Sequence, residues 1–292
     1  MVLSQLSLQT QPPSKMEDVI FNVILWCYAA VIPLLFIALF FINAPYGNTI
    51  VFVPYSAIHP NLTLGRFSCG STVNGRVGWF LIEITSPVVF LLSLRLRNSS
   101  LLTAPKLFLS ALWLGHYFNR AVVYTIRAPS LSPMHYIVIL SGIGYNVLNG
   151  YTNGRWIGLY SSYGEDFFGL RCLVGFILFA AGMALNIHHD NILFGLRRKK
   201  EKVEENSGRH RKRYFIPYGG LFRYVSCPSY FCESIEWIGF AVAAWYSPPA
   251  LLFAASTPAN LLPRALRTHA WYRRTFGDKY PSDRRAFVPF LI

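Results

Sequence analysis

Long apolar stretches follow one another along the chain with short polar breaks between them. The first, 19–43, exceeds the roughly 20 residues that an α-helix needs to cross a bilayer. Neither an internal repeat nor a linker rich in Pro, Gly or Ser divides the series. The pattern predicts an all-α fold, an integral membrane bundle of about seven transmembrane helices in one domain over 1–292. The other predicted helices are 77–96, 101–118, 134–151, 167–187, 230–245 and 248–262.

Composition agrees with a membrane protein. Of the 292 residues, 53% are hydrophobic and only 14% are charged, against roughly 25% charged in soluble domains. The net charge of +14 is also found in nucleic-acid-binding proteins. Here, however, the cations lie in short blocks between apolar stretches, as in cytoplasmic loops of membrane proteins, rather than on a continuous basic face. We therefore expect the lipid bilayer as a partner and no nucleic acid.

The largest block of cations lies at 197–213, before the sixth predicted helix. Because Lys and Arg accumulate in cytoplasmic loops, this block is expected in the cytosol. Counting helices outward places Arg120, Arg127 and the basic C-terminal tail on the same side, and the N-terminus in the lumen. The section 199–213 shows no evident chemistry and is expected to be a solvated, mobile connection.

Several polar side chains interrupt the apolar stretches. A charge at the centre of a membrane helix costs about 2.5–3.5 kcal/mol on insertion scales, so such residues usually face partners, a cofactor or a substrate. Glu233 and Glu236 are three residues apart, and Asn186 and Asp190 are four apart, so each pair shares a helix face. Glu83 lies alone in its stretch. Taken singly, each residue is equally well explained by a hydrogen bond or ion pair that fixes helix packing.

A second set of polar residues repeats every fourth position. His116, Arg120 and Tyr124 line one helical stripe, with Tyr117 beside it. An aromatic and basic belt at the membrane interface gives the same pattern. The stripe therefore marks either a site or an interface.

Three other sequence features resemble binding motifs but do not indicate a metal site or a dinucleotide-binding fold. His188 and His189 are adjacent and have no second ligand pair, and the five cysteines have no metal spacing. Gly142 and Gly144 resemble the start of a dinucleotide fingerprint, but no strand precedes them, and close helix packing explains them better. We expect no metal and no Rossmann domain, so that any cofactor would be held by the bundle and its cytoplasmic loops.

Four segments of the chain carry a resemblance to a known family. They are HYFNRAVVY (116–124), LNIHHDNILFGLRR (185–198), YFIPYGGLFRYVSCPSYFCESIEWIGFA (214–241) and HAWYRRTFGDKYPSDRRAFVPFLI (269–292). In order and spacing they resemble the steroid 5-alpha-reductases, the 3-oxo-5-alpha-steroid 4-dehydrogenases of types 1 and 2, most strongly over 79–292. The resemblance implies a membrane enzyme of seven helices, usually in the endoplasmic reticulum, that binds NADPH from the cytosol and a steroid from the membrane. The implied reaction is NADPH-dependent reduction of the 4,5 double bond of a 3-oxo-4-ene steroid to the 5-alpha product.

Position by position, the resemblance implies two catalytic residues. Glu83 ends WFLIE (79–83), where the family has a similar WFLQE, and Tyr117 lies in HYFNR. Hydride addition to the far carbon of an enone moves negative charge onto the carbonyl oxygen, and hydrogen-bond donors placed there stabilise it. Tyrosine is a neutral donor, and a glutamic acid in apolar surroundings stays protonated and donates as well.

The resemblance also implies a set of residues that contact NADPH. Amides and carboxylates suit the carboxamide and the ribose hydroxyls, and arginines suit the pyrophosphate and the 2′-phosphate. Arg120 and Glu236 have a competing explanation as structural ions, paired with each other or with Asp190. The set is Asn186, Asp190, Arg197, Tyr214, Glu233, Arg264, His269 and Tyr272, with Arg120 and Glu236 nearby.

Four positions depart from the family pattern and concern the adenine end of this site. Ser229 stands where relatives have Asn and has a shorter reach. Where relatives place Asn, Arg and Tyr, this chain has Arg127, Ser130 and Ser132.

The sequence is compatible with three other functions. The same superfamily contains trans-2-enoyl-CoA reductases of fatty-acid elongation and polyprenol-type reductases, although HYFNR and HAWY are closer to the steroid branch. A non-catalytic lipid or sterol transporter would use intramembrane carboxylates as a pathway, but the chain shows no paired repeats or broken helices. The sequence predicts no particular oligomeric state.

Overall fold

The chain is described by a computed structural model that covers residues 14–41, 49–52, 65–68, 72–96, 102–207 and 214–292. Most of this part is helical, and seven of its α-helices have 15 residues or more, which confirms the expected all-α class. The helices are α1 (Lys15–Phe41), α2 (Gly75–Arg95), α3 (Ala104–Phe118), α4 (Thr125–Arg127), α5 (Tyr136–Arg155), α6 (Leu170–Ser207), α7 (Pro228–Ala243) and α8 (Pro248–Phe276).

Two short antiparallel strand pairs were not predicted. β1 (Thr49–Phe52) pairs with β2 (Gly65–Ser68), and β3 (Thr72–Val73) pairs with β4 (Met134–His135). The second pair joins the chain before α2 to the chain before α5. Shorter helical turns complete the described part: π-helices Asn119–Tyr124 and Trp156–Tyr160, and 3₁₀-helices Glu165–Phe168, Gly220–Arg223 and Gly277–Lys279.

Three of the described helices are long and apolar enough by themselves to cross a membrane: Lys15–Phe40, Gly75–Arg95 and Leu170–Lys199. Many of their large apolar side chains face outward, for instance Trp26 and Leu92. Outward apolar side chains on long helices are suited to lipid, because only helices and closed barrels satisfy their backbone groups in a bilayer. The chain is therefore an all-α membrane protein.

Two helix ends were predicted wrongly. The predicted stretch ending at 187 continues to Ser207 in α6, because the charged segment beyond it is rich in Lys, Arg and Glu, which favour helix. The section 199–213 is therefore helical as far as Ser207, and 208–213 lie outside the described residues. Similarly, α8 runs past 262 to Phe276 with Pro258 and Pro263 inside it. His269 and Tyr272 thus lie on α8, beyond the predicted stretch.

The backbones of α6 and α7 approach each other closely. A methyl group added at Gly182 of α6 would strike the backbone of α7, and one added at Gly239 of α7 would strike the backbone of α6. Small residues allow such contacts between membrane helices.

Gly142 of α5 packs against the Ile82 side chain as expected. A methyl group added at Gly144, in contrast, would have nothing within 4 Å of it. The packing interpretation therefore holds for Gly142 and is wrong for Gly144.

An aromatic core holds α3 against α7 and α8. The ring of Trp237 lies 5.3 Å from that of Trp113 and 4.2 Å from that of Phe253, measured between centroids. All three side chains are buried. This core lies next to Tyr117, whose ring is 5.3 Å from that of Trp113. The last turn of α3 is thereby fixed against the centre of the bundle.

Candidate functional site

Tyr117 is buried at the end of α3, where only 3% of it is exposed. Its hydroxyl donates to Asn146 Oδ1 at 3.3 Å and accepts from Asn149 Nδ2 at 3.4 Å. Both partners belong to α5. The hydroxyl therefore lies inside the bundle with its proton and one lone pair engaged.

Glu83 lies in the middle of α2 and is partly buried. Its carboxyl group is in electrostatic range of Tyr117, Arg120 and Glu233. No hydrogen bond joins this carboxyl group to any residue that the structure describes. The structure thus brings Glu83 and Tyr117 together, with the Glu83 carboxyl group available to a ligand.

Arg120 lies one turn beyond Tyr117, inside the π-helix that follows α3. The wider π-turn breaks the predicted α-helical spacing of four, and such turns are frequent at functional sites. The guanidinium lies 4.9 Å from the ring centres of both Trp79 and Tyr124. It is also 3.4 Å from an Asp190 oxygen and 3.8 Å from a Glu233 oxygen. Arg120 therefore holds two carboxylates of α6 and α7 on one side of the bundle.

Asn186, Asp190 and Glu233 meet where α6 packs on α7. Asn186 Nδ2 donates to Glu233 Oε2 at 3.2 Å and to the Ser229 carbonyl oxygen at 3.1 Å. The Ser229 hydroxyl donates to Asp190 Oδ1 at 3.0 Å. The shorter side chain at 229 therefore still forms a bond within the site. Asn186 Oδ1 is buried and has no hydrogen-bond partner among the described residues.

Glu236 points to a different partner from Glu233. Its Oε1 lies 2.6 Å from His116 Nδ1, and both side chains are almost completely buried. The Glu236 carboxyl group therefore contacts His116 rather than Arg120. Arg120 does pair with Asp190, the other arrangement considered for it.

A loop is fixed against α6 by His189. His189 Nε2 accepts the Leu221 backbone N–H at 2.9 Å, and Nδ1 donates to the Leu185 carbonyl oxygen at 2.6 Å. Gly220 has φ +52° and lies directly against this imidazole, a conformation and a contact that favour glycine. His189 thus has a structural role, and the loop leads from it to Ser226 and α7.

A second polar cluster, here called the C-terminal cluster, consists of Ser226, His269, Tyr272, Tyr280 and Arg284. The Ser226 hydroxyl lies 2.6 Å from both His269 Nδ1 and the Tyr280 hydroxyl. The ring of Tyr272 stacks on that of Tyr280 at 5.3 Å with an interplanar angle of 4°. His269 and Tyr272 are therefore joined in one cluster beyond the predicted membrane stretch 248–262.

Burial perturbs the titration of this cluster. Loss of solvent raises the pKa of Tyr280 and of Tyr272. Burial lowers the pKa of His269, and the positive charges of Arg273 and Arg285 lower it further. The cluster is therefore neutral at its tyrosines and disfavours a proton on His269.

Arg284 was not among the predicted site residues. It is only 2% exposed, and its guanidinium carbon lies 4.9 Å from the Tyr218 ring and 5.2 Å from the Tyr280 ring. Its Nε and Nη1 are buried without a hydrogen-bond partner in the described part of the chain. A buried cation with free donors suits an anionic ligand. The sequence shows only one more arginine in a basic tail, so its burial could not be read from the pattern.

The remaining predicted cofactor residues are Arg197, Tyr214 and Arg264. Arg197 is in electrostatic range of Asp190 and of Tyr272 and so connects the α6–α7 residues to the C-terminal cluster. The Arg264 Nε is buried and has no hydrogen-bond partner among the described residues. In the part of the chain that the structure describes, no hydrogen bond or ion pair joins Arg264 to the other predicted site residues. Tyr214 is 46% exposed and meets the edge of the Trp271 ring at 5.0 Å.

The loop after α4 is tied to α6. Arg197 Nη1 donates to the Ser130 carbonyl oxygen at 3.2 Å, and Arg198 Nη2 donates to that of Arg127 at 3.3 Å. The Arg127 side chain reaches Asn191 Oδ1 at 2.7 Å. Although its residues depart from the family pattern, this loop lies beside the same end of α6 as Arg197. Ser132 is exposed.

Sequence comparisons show which known proteins the chain is similar to. The family model for 3-oxo-5-alpha-steroid 4-dehydrogenase matches residues 132–292. The chain is 37% identical to steroid 5-alpha-reductase DET2 of Gossypium hirsutum, over 87% of this chain and 91% of that protein. It is 36% identical to 3-oxo-5-alpha-steroid 4-dehydrogenase 1 of Rattus norvegicus, over 78% of this chain and 85% of that protein. An uncharacterized protein of Schizosaccharomyces pombe is 38% identical over 86% of this chain and 92% of its own. The chain therefore belongs to the 3-oxo-5-alpha-steroid 4-dehydrogenase (steroid 5-alpha-reductase) family, oxidoreductases that act on CH–CH groups.

Proposed function

We propose that this protein uses NADPH to reduce the 4,5 double bond of a 3-oxo-4-ene steroid, giving the 5-alpha-reduced 3-oxo steroid. The steroid would enter from the bilayer and NADPH from the cytosol. The single observation that carries the proposal is the convergence of Glu83 and Tyr117 inside the bundle, beside the Arg120–Asp190–Glu233 contacts. Relatives named steroid 5-alpha-reductase support the choice of substrate class.

Glu83 and Tyr117 would act on the substrate carbonyl oxygen. When bound, NADPH would supply the hydride for C5 of the enone. As negative charge develops on the C3 oxygen, hydrogen bonds from protonated Glu83 and from Tyr117 would stabilise the enolate. A proton from solvent, added at C4, would complete the reduction and restore the carbonyl group. Because the two side chains come from different helices, their positions depend on the packing of the bundle.

The residues of the α6–α7 contact and of the C-terminal cluster fit a dinucleotide phosphate. Asn186 Oδ1 is a buried acceptor without a partner in the described chain, as a carboxamide N–H requires. Asp190 and Glu233 can accept from ribose hydroxyls. Arg197, Arg264 and the Arg284 found in the structure can donate to phosphate groups. His269, Tyr272 and Tyr214 line the same cytosolic end, and Arg120 and Glu236 hold neighbouring groups in place.

We further propose that the seven longer helices all cross the membrane of the endoplasmic reticulum, with a luminal N-terminus. The positive residues at 197–202 in α6 and in the last turn of α8 support a cytosolic position for the cofactor site. Single cysteines introduced at Arg274 and at Asp166, in an otherwise cysteine-free chain, would test this topology in sealed microsomes. We expect a membrane-impermeant reagent to label position 274 directly and position 166 only after permeabilisation. The reverse labelling would contradict the proposed orientation.

The activity test uses the full-length chain purified in detergent or nanodiscs. NADPH and a 4-ene-3-one steroid are added, and loss of NADPH absorbance is compared with formation of the 5-alpha product. Parallel reactions contain a trans-2-enoyl-CoA or a polyprenol-type enone, and NADH replaces NADPH in a further set. We expect turnover with the steroid and NADPH. Turnover with enoyl-CoA or the polyprenol substrate alone would assign the chain to another branch, and lipid movement without NADPH consumption would exclude the reductase.

A further inference from the structure

Three asparagines of α5 form a ladder that reaches Tyr117. Asn146, Asn149 and Asn153 are spaced by three and four residues and are 6%, 0% and 1% exposed. Buried amides in a membrane helix are costly unless each group is hydrogen-bonded. None of the three asparagines is assigned to the substrate carbonyl oxygen or to the cofactor. Their bonds therefore call for a separate explanation.

The bonds within the ladder determine which way two of its amides face. Asn146 Nδ2 donates to the Gly142 carbonyl oxygen at 3.1 Å, which leaves Asn146 Oδ1 to face Tyr117. Asn153 Nδ2 donates to Asn149 Oδ1 at 3.0 Å, which leaves Asn149 Nδ2 to face Tyr117. Reversing either amide would place two donors or two acceptors together. The Tyr117 hydroxyl consequently meets one acceptor and one donor in fixed positions.

Asn149 is also held from the opposite side of the bundle. Its Oδ1 accepts from the Tyr28 hydroxyl of α1 at 3.5 Å. That hydroxyl lies 3.2 Å from both Tyr145 and Ser256 oxygens, and Tyr145 and Ser256 are 2.6 Å apart. Thus α1, which carries little of the family resemblance, supplies a residue that helps to fix Asn149.

We propose that Asn149 is a positioning residue for Tyr117, an inference that rests on the proposed function. By donating into the Tyr117 oxygen, Asn149 occupies one lone pair and directs the hydroxyl proton away from itself. Asn146 Oδ1 accepts the hydrogen bond from the Tyr117 hydroxyl until a substrate carbonyl oxygen replaces Asn146 as the acceptor. A hydroxyl that accepts one hydrogen bond becomes a better donor in the next, because linked hydrogen bonds polarise one another. Asn149 therefore acts on the reaction only through the Tyr117 hydroxyl.

The test is a double-mutant cycle in the full-length enzyme, with Asn149→Leu and Tyr117→Phe made singly and together. We expect Asn149→Leu to lower kcat about tenfold when Tyr117 is present, the size of one lost hydrogen bond. In the Tyr117→Phe background the same change should lower kcat less than about twofold, since the oxygen through which Asn149 acts is gone. The Kd for NADPH should change in neither background.

Thr152→Val is the matched control. Thr152 is buried on the same helix and its hydroxyl bonds only to backbone oxygens of α5, at Leu148 and Asn149. This variant should leave kcat within about twofold of the wild type, as expected for a bond not coupled to Tyr117. If Asn149→Leu does not fold, Asn149→Ala removes the same N–H donor with a smaller apolar side chain, and it enters the same cycle.

The outcomes separate the inference from the function on which it rests. Equal losses of kcat from Asn149→Leu in both backgrounds would show a general packing effect and overturn the positioning role alone. A wild-type protein that binds NADPH but does not reduce the steroid would overturn the proposed function, and the positioning role with it.

Discussion

The surroundings of Tyr117 and of Arg284 differ in how far the protein itself satisfies buried polar groups. Tyr117 donates to one asparagine and accepts from another, and those asparagines are held by further bonds. Arg284 is just as buried, yet two of its guanidinium nitrogens find no partner in the part of the chain that the structure describes. The Tyr117 hydroxyl thus has protein partners for its proton and for one lone pair, whereas the Arg284 guanidinium has donors left for a ligand.

This difference indicates which kind of ligand the surroundings of Tyr117 and of Arg284 can bind. A neutral donor that already has a partner can exchange that partner for another neutral acceptor, such as a carbonyl oxygen, at little cost. A buried arginine with free donors is stabilised by an anion, because an unsatisfied cation away from water is costly. We therefore expect changes at the Tyr117 region to affect turnover, and changes at the C-terminal cluster to affect cofactor affinity.

The largest effect is expected at the carbonyl donors. Glu83→Leu and Tyr117→Phe should each lower kcat by about 100-fold or more, as loss of one oxyanion donor does elsewhere. The Kd for NADPH, measured by fluorescence or calorimetry, should stay nearly constant because neither side chain is assigned to the cofactor. An equal loss of NADPH affinity in both variants would erase the contrast between the two regions and move Glu83 and Tyr117 to a cofactor or scaffold role.

The next effect is expected at Arg284. Arg284→Gln should raise the Kd for NADPH about tenfold or more, because hydrogen bonds to charged groups contribute roughly 1.5–3 kcal/mol. The rate at saturating NADPH should fall much less. Arg274→Gln is the control, since Arg274 is exposed near the end of α8 and should leave the Kd unchanged. Comparable losses in the two variants would indicate a diffuse effect of net charge instead of a phosphate contact.

The sequence predicts these two regions unequally well. Apolar length is a local property, so the helices are recognised, and glutamates and amides within them stand out because the bilayer makes them costly. Helix ends depend on what lies beyond the membrane. For that reason α6 and α8 run on into charged segments that a hydropathy pattern assigns to loops.

The sequence analysis did not predict the three asparagines of α5 or Arg284, and the reasons differ. Asn146, Asn149 and Asn153 have the same helical spacing as Glu233 and Glu236, so the sequence does carry a signal for them, although an uncharged amide stands out less in an apolar stretch than a carboxylate does. Arg284 has no such signal. Its burial arises when the C-terminal segment folds back and places Tyr218 and Tyr280 on the guanidinium, which only the tertiary structure shows.

A smaller effect is expected where the α6–α7 residues meet. Ser229→Ala removes the hydroxyl that donates to Asp190 Oδ1 at 3.0 Å. One such bond contributes about 0.5–1.5 kcal/mol, so the KM for NADPH should rise roughly two- to tenfold, with kcat less affected. Ser234→Ala serves as control, because the Ser234 hydroxyl donates only to the Tyr230 carbonyl oxygen of its own helix. If kcat falls while the KM for NADPH stays constant, the α6–α7 residues belong with the Tyr117 region instead.

The smallest effect concerns the pH dependence of stability at His269. Burial and the charges of Arg273 and Arg285 lower its pKa in the folded protein. The unfolded chain therefore takes up this proton first as pH falls below about 6.5, and the folded state loses stability until the lower, folded pKa is passed. Above about pH 6.5 this contribution to stability is fully present. The change amounts to at most one proton, so we expect a shallow decrease in Tm between pH 7.5 and 5.5 that His269→Gln reduces.

The pH dependence of Tm should also differ between the free and the NADPH-bound protein. An anion bound beside Arg284 would offset the positive charges around His269 and so favour its protonated form, which brings the folded pKa back toward the unfolded value. Saturating NADPH should therefore flatten the pH dependence of Tm in the wild type and leave that of His269→Gln unchanged. A pH dependence that NADPH does not alter would place the phosphates away from the C-terminal cluster, and Arg284 would then be a buried cation with no ligand to explain its free donors.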